Sequence, residues 1–103
     1  MHKVQITPSA GDDLLEGFFF YEAREAGVGD YFLQCLASDI ESLGLYGGIH
    51  PKSHLGLYRT SSKRFPFSIY YQFDGLTVFV AAILDARRNP ETIRRVLGNR
   101  RGD

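Results

Sequence analysis

Three arginines bracket one predicted β-hairpin and are the first residues whose types and spacing suggest chemistry. Arg64 stands just before the run Phe67 to Phe73, and Arg87 and Arg88 follow directly on the run that ends at Leu84 and Asp85. A guanidinium is permanently charged and forks onto carboxylate or phosphate oxygens. Three of them at one end of a hairpin would make an anion-facing edge. Arg59 precedes the same hairpin, and His50, Lys52 and His54 lie in a glycine-rich stretch upstream. A loop histidine can titrate near neutral pH. Two without a partnered carboxylate or a cysteine cluster also read as plain surface residues. Arg87 has a competing reading of its own, an ion pair with Asp85 or with a helix carboxylate.

The elements that must position these groups are legible from periodicity. Phe67, Ile69, Tyr71 and Phe73 alternate with Ser68, Tyr70 and Gln72, and Asp74-Gly75 is a preferred two-residue turn, so the segment predicts a hairpin. Its second arm, Leu76 to Leu84, is apolar almost throughout, as suits a central strand covered on both faces. Val4 and Ile6 predict a short first strand. Thr7-Pro8 predicts an N-cap with proline at the first helical position, followed by a helix whose apolar face includes Leu14, Phe18 and Tyr21 and which Gly27 ends. Asp30 then caps a second helix with Phe32, Leu36, Ile40 and Leu43 on one face, stopped by Gly44. Residues 44–56 have no clear period and predict a loop; Leu57 to Thr60 predicts a strand, and Ile93 and Leu97 a brief last helix. The element order is β-α-α-β-β-β-α.

Length and composition bound the classes of function. One hundred and three residues fit a single domain spanning the whole chain, with a core that needs no staples. The one cysteine, Cys35, cannot form an internal disulfide and reads as a small buried apolar residue, and the first residues lack the apolar run of a signal peptide, so a cytoplasmic protein is expected. The longest apolar stretch is too short to span a bilayer, and no membrane role is expected. Net charge is zero, yet residues 1–50 hold two Lys/Arg against eight Asp/Glu, whereas residues 51–103 hold ten against four. That asymmetry points the basic half toward a phosphate-rich or acidic partner, or to mutual neutralisation of the halves on folding. The histidines lack metal-ligand spacing and no phosphate-cradling glycine loop occurs, so neither a metal nor another cofactor is expected.

Three features together resemble the RelE/ParE superfamily of toxins from bacterial type II toxin-antitoxin systems, over nearly the full length: FYEAREAGVGDYF across the helical junction, the pair Tyr58-Arg59 opening the sheet, and RFPFSIYY followed by AAILDARRNP. The last is similar to the plasmid-stabilisation branch. The resemblance implies an α+β fold, a small antiparallel sheet with the two-helix hairpin packed on one face and cationic loops and strand ends on the other. It also implies a cognate antitoxin, bound as a hetero-oligomer, for which Phe20 and Tyr21 are the candidate contacts. Of the unbroken run Phe18 to Tyr21, Phe20 is expected to be exposed and the other three to fill the core.

Within this superfamily one branch cleaves mRNA on the ribosome and another poisons DNA gyrase. The nucleases place a catalytic tyrosine or histidine beyond the last strand, and residues 85–103 contain neither. The reading is therefore a growth-inhibiting, ParE-like gyrase poison whose target-binding surface is Arg59, Arg64, Arg87, Arg88, Arg94 and Arg95, with Arg100 and Arg101 extending the patch. The alternatives are a RelE-like ribosome-dependent mRNA endonuclease, with Arg59, Lys63, Arg64 and Arg87 around phosphate and Tyr70 or a loop histidine handling the proton, and a degenerate member that binds only its antitoxin.

Overall fold

The computed structural model describes residues 1–100. Arg101 and the side chain of His54, both singled out from the sequence, lie outside what is described. Strand β1 (Lys3–Ile6) leads into helix α1 (Pro8–Arg24), followed by α2 (Val28–Glu41), a one-turn α3 (Leu43–Tyr46), a 3-10 turn (His54–Gly56), β2 (Tyr58–Ser61), β3 (Phe67–Phe73), β4 (Thr77–Asp85) and α4 (Pro90–Arg100). The expected order is borne out, with the loop between α2 and β2 holding two short helical turns besides.

The sheet runs β1-β4-β3-β2. Strands β2, β3 and β4 are antiparallel as expected, but β1 lies parallel to β4, so the sheet is mixed. The reason is connectivity: the α1–α2 unit and the β2–β3 hairpin separate β1 from β4, and such a long crossover permits parallel pairing. Strand β4 is thereby interior, and its near-continuous apolar run follows. One face of the sheet, through Ile69, Tyr71, Val78, Val80 and Ile83, packs on Phe32, Leu36 and Ile40 of α2. The other, through Tyr70, Ala82 and Leu84, packs on Ile93 and Leu97 of α4. The register shifts between Tyr70 and Tyr71, because β4 bulges opposite them. That extra residue returns Ile83 to the face of Val80 and adds local bend.

Local chemistry sets the boundaries. Thr7 caps α1, its hydroxyl accepting from the Ala10 N–H at 3.2 Å, and Pro8 occupies the first turn. At the helical junction the N-cap of α2 is Gly27 rather than Asp30, which sits in the first turn. The Glu22 carboxylate reaches across instead and accepts from the N–H groups of Gly27 and Gly29 at 2.9–3.1 Å. Helix α2 ends at Glu41, before Gly44. In the β3–β4 turn Gly75 takes the positive φ, 95°, and the Asp74 carboxylate accepts from Leu76 and Thr77. No helix among the described residues is long and apolar enough to cross a membrane.

Candidate functional site

Alternation along β3 decides which side chains meet. Phe67, Ile69 and Tyr71 belong to the α1–α2 core, so Ser68 and Tyr70 point to the α4 face. Arg59 of β2 pairs in register with Tyr70, and its Nε donates to the Ser68 hydroxyl at 3.2 Å. Beyond β4 the chain turns through Ala86 to Asn89, and this turn brings Arg88 to the same place. A cavity of about 250 Å³ is lined by Ser53, Arg59, Ser68, Tyr70 and Arg88 together with the start of α4 at Pro90.

Tyr70 is 3 % exposed and its hydroxyl has no hydrogen-bond partner among the described residues, while no fully buried side-chain polar atom there is left unpartnered. Its oxygen therefore sits at the water-reached wall of the cavity. Asn89 caps α4 by accepting from the Glu91 N–H at 2.8 Å, and Pro90 takes the first turn, so the positive end of the helix dipole adds to the two guanidinium groups. Two cations, a phenol, two hydroxyls and a helix start make a site that can hold an oxyanion.

The floor of this cleft is fastened from behind. Strand β2 carries the preceding loop along with it: the Arg59 N–H donates to Pro51, the Ser53 N–H to Leu57, and Lys52 bridges Tyr58. The loop is tied to the sheet by the buried Tyr71 hydroxyl, which accepts from the Gly48 N–H at 3.0 Å and lies 2.6 Å from His50 Nδ1. Burial lowers the His50 pKa below its ordinary value and raises that of Tyr71. The Tyr58 ring stacks on Tyr71, and Lys52 Nζ lies 5.2 Å from the Tyr58 centroid. His50 thus serves as an anchor of the loop.

The single basic lip expected from the sequence is not formed. Among the described residues, Arg59 and Arg88 are the only arginines that enter the cleft. Arg87 turns back on Asp85 through two hydrogen bonds of 2.8 and 3.0 Å, and that bond first of all holds the Asp85 carboxyl below the usual carboxylate range. Arg94 pairs with Glu91 one helical turn away. Arg95 is exposed on α4. Arg64 and Lys63 line a separate depression beside Tyr31. Arg100 is withdrawn altogether, bonding Asp13 of α1. The ends of β3 and β4 do meet, through Ala86 N–H to Pro66 C=O, but of the three arginines there Arg87 is taken by Asp85, Arg88 reaches the distant Glu16, and Arg64 lies in the separate depression.

A second cleft of similar volume lies under α1, lined by Asp13, Glu16, Phe20, Phe67, Ile83 and Asp85, and Arg88 borders this one as well. Its guanidinium donates to Glu16 at 3.1 Å. Strand β1 pairs with Thr77–Val80, so among the described residues the edge of β4 beyond Val80 has no strand beside it here. Phe20 is 45 % exposed as expected, with the Arg24 guanidinium 4.2 Å from its ring centroid. Tyr21 packs on Phe32, Phe65 and Phe67. Phe19 departs from expectation: it is 64 % exposed, because four consecutive helical residues sweep about 300° and cannot all face one core. Sequence reading missed Ser68, whose alternation with Tyr70 could have exposed it, and Glu16, for which no sequence signal exists. Cys35 is half-buried and free, and among the described residues no three metal-ligating side chains gather.

No family model matches the chain, nor does a curated protein sequence. Among solved structures it is similar to a chain of the chromosomal ParDE TA system from P. aeruginosa, with a TM-score of 0.73 and 18 % identity, over 81 % of this chain and 94 % of that one. The expected RelE/ParE-like fold is thereby borne out.

Proposed function

We propose that this chain is the toxin of a type II toxin–antitoxin pair, of the plasmid-stabilisation branch and cytoplasmic, held inactive by an antitoxin and inhibiting growth when released. The observation that carries this reading is the shared fold with a ParDE chain over nearly that chain's whole length. Arg59 and Arg88 form the core of the target-facing surface, with Arg87, Arg94 and Arg95 at its periphery and Arg64 as a separate contact beside Tyr31. Phe20 and the neighbouring Tyr21 mark the antitoxin side: Phe20 lines the cleft under α1 with Phe67, and Tyr21 packs against Phe67 beside it. A gyrase-directed, ParE-like action is favoured, because blocking a protein partner requires a surface and no proton shuttle, and α4 and the turn before it hold no tyrosine or histidine.

One observation favours the second reading, an mRNA endonuclease: the unpartnered Tyr70 hydroxyl beside Arg59 and Arg88. Phosphodiester cleavage asks for a proton handler beside cations. Expression in cells lacking the antitoxin is expected to arrest growth, and Arg59→Ala with Arg88→Ala to relieve the arrest while the protein stays folded. Purified chain added to gyrase supercoiling and to translating ribosomes separates the targets. Inhibition of ribosomes alone, lost in Tyr70→Phe, would replace the gyrase reading; normal growth with folded, soluble chain would leave only antitoxin binding.

A further inference from the structure

Arg88 borders two clefts and holds a carboxylate in one of them. Its guanidinium reaches Glu16 on α1 at 3.1 Å, yet the same side chain lines the oxyanion cleft with Arg59 and Tyr70. The Arg88 side chain is 37 % exposed and that of Glu16 71 %, so neither is locked by packing. One cation therefore faces two possible anions, an internal carboxylate and whatever enters the cleft. A Coulombic contact made with one is unavailable in full to the other.

We propose that Glu16 is an internal counter-ion that restrains Arg88, so that the oxyanion cleft and the cleft under α1 are coupled through this one side chain, with a sign set by the charge of the group bound under α1. An anion taken up beside Arg59 and Tyr70 must draw Arg88 off Glu16. A partner group that binds Glu16 from the α1 side, a lysine or arginine above all, releases Arg88 to the oxyanion cleft. A partner carboxylate placed against Arg88 from that side removes it. Linkage makes the effect reciprocal: phosphate in one cleft alters by the same factor the affinity for such a partner group in the other. This regulation rests on the oxyanion cleft proposed above.

The test uses inorganic phosphate as the probe, titrated into the whole chain and followed by the NMR signals of the Arg59 and Arg88 Nε–H groups. Glu16→Gln is expected to tighten phosphate binding by about two- to five-fold, the range set by an exposed ion pair. Asp12→Asn, an exposed acid on the same helix, supplies the general effect of removing one negative charge. In an Arg88→Gln background the gain from Glu16→Gln should shrink to that control level. A gain equal to the Asp12→Asn control, or one that persists without Arg88, overturns the coupling while leaving the cleft standing. Absence of phosphate shifts at Arg59 and Arg88 in the native chain overturns both the coupling and the cleft beneath it.

Discussion

Asp13 and Glu16 lie one turn apart on α1, and each bonds an arginine from the C-terminal part of the chain. The two pairs share their chemistry and differ in surroundings. Asp13 is 8 % exposed, and its carboxylate also accepts from the Ile83 N–H at 2.9 Å. That N–H faces the edge of β4 where β1 has ended, so Asp13 satisfies a donor that no strand reaches, and Arg100 neutralises the charge thus buried. Among the described residues Glu16 meets only Arg88, at an open cleft. Burial with saturated hydrogen bonding makes the first pair part of the fold. Exposure leaves the second nearly neutral in stability and free to exchange partners.

The sharpest way to break the contrast is Asp13→Ala, which takes the carboxylate away from the partly buried Arg100 and leaves the Ile83 N–H unmet; a loss of about 3 kcal/mol in urea unfolding is expected. A loss below about 1 kcal/mol would put the two pairs in one class. Gly17→Ala probes the inward side of α1 about one turn beyond Asp13. Its added Cβ would stand 2.5 Å from Phe32, a fully buried ring enclosed by Tyr21, Phe65 and Phe67, so about 1–3 kcal/mol should be lost by overpacking.

A third, uncharged buried contact sharpens the comparison through pH. The folded chain disfavours protonated His50, so the unfolded chain takes up the proton at higher pH, near the ordinary value of 6.5. The contribution is complete above that value and fades as pH falls through the lower folded pKa. Unfolding measured at pH 7.5 and pH 5.5 should show a drop that His50→Gln reduces; equal drops would mean that the imidazole does not anchor the loop to Tyr71. Glu16→Gln has the smallest expected effect on stability, within about 0.5 kcal/mol, and a larger loss would make Glu16 a structural residue like Asp13.

Much of the framework was legible because it follows from short-range rules. Thr7-Pro8 announced the start of α1, the Phe67–Phe73 alternation announced β3, and the apolar run of β4 announced its interior place. Strand direction was not legible at β1, since four residues carry no signal of the partner they will meet. The two-faced burial of the sheet by α4 was only half visible, in Ile93 and Leu97. Among site residues, Arg59 and Tyr70 could be named from β2 and β3, but whether they share a cleft depends on register, which one slipped residue would reverse.

The sequence by itself determined the elements, the charge asymmetry and the presence of arginines at strand ends, because composition and periodicity act over a few neighbouring residues. Only the tertiary structure decided which arginines are available. Asp85 and Glu91 claim Arg87 and Arg94 from nearby, but Asp13 and Glu16 claim Arg100 and Arg88 from more than seventy residues away along the chain. An ion pair forms where folding brings opposite charges within a few ångströms, and whether it locks or stays exchangeable depends on how much water folding leaves around it.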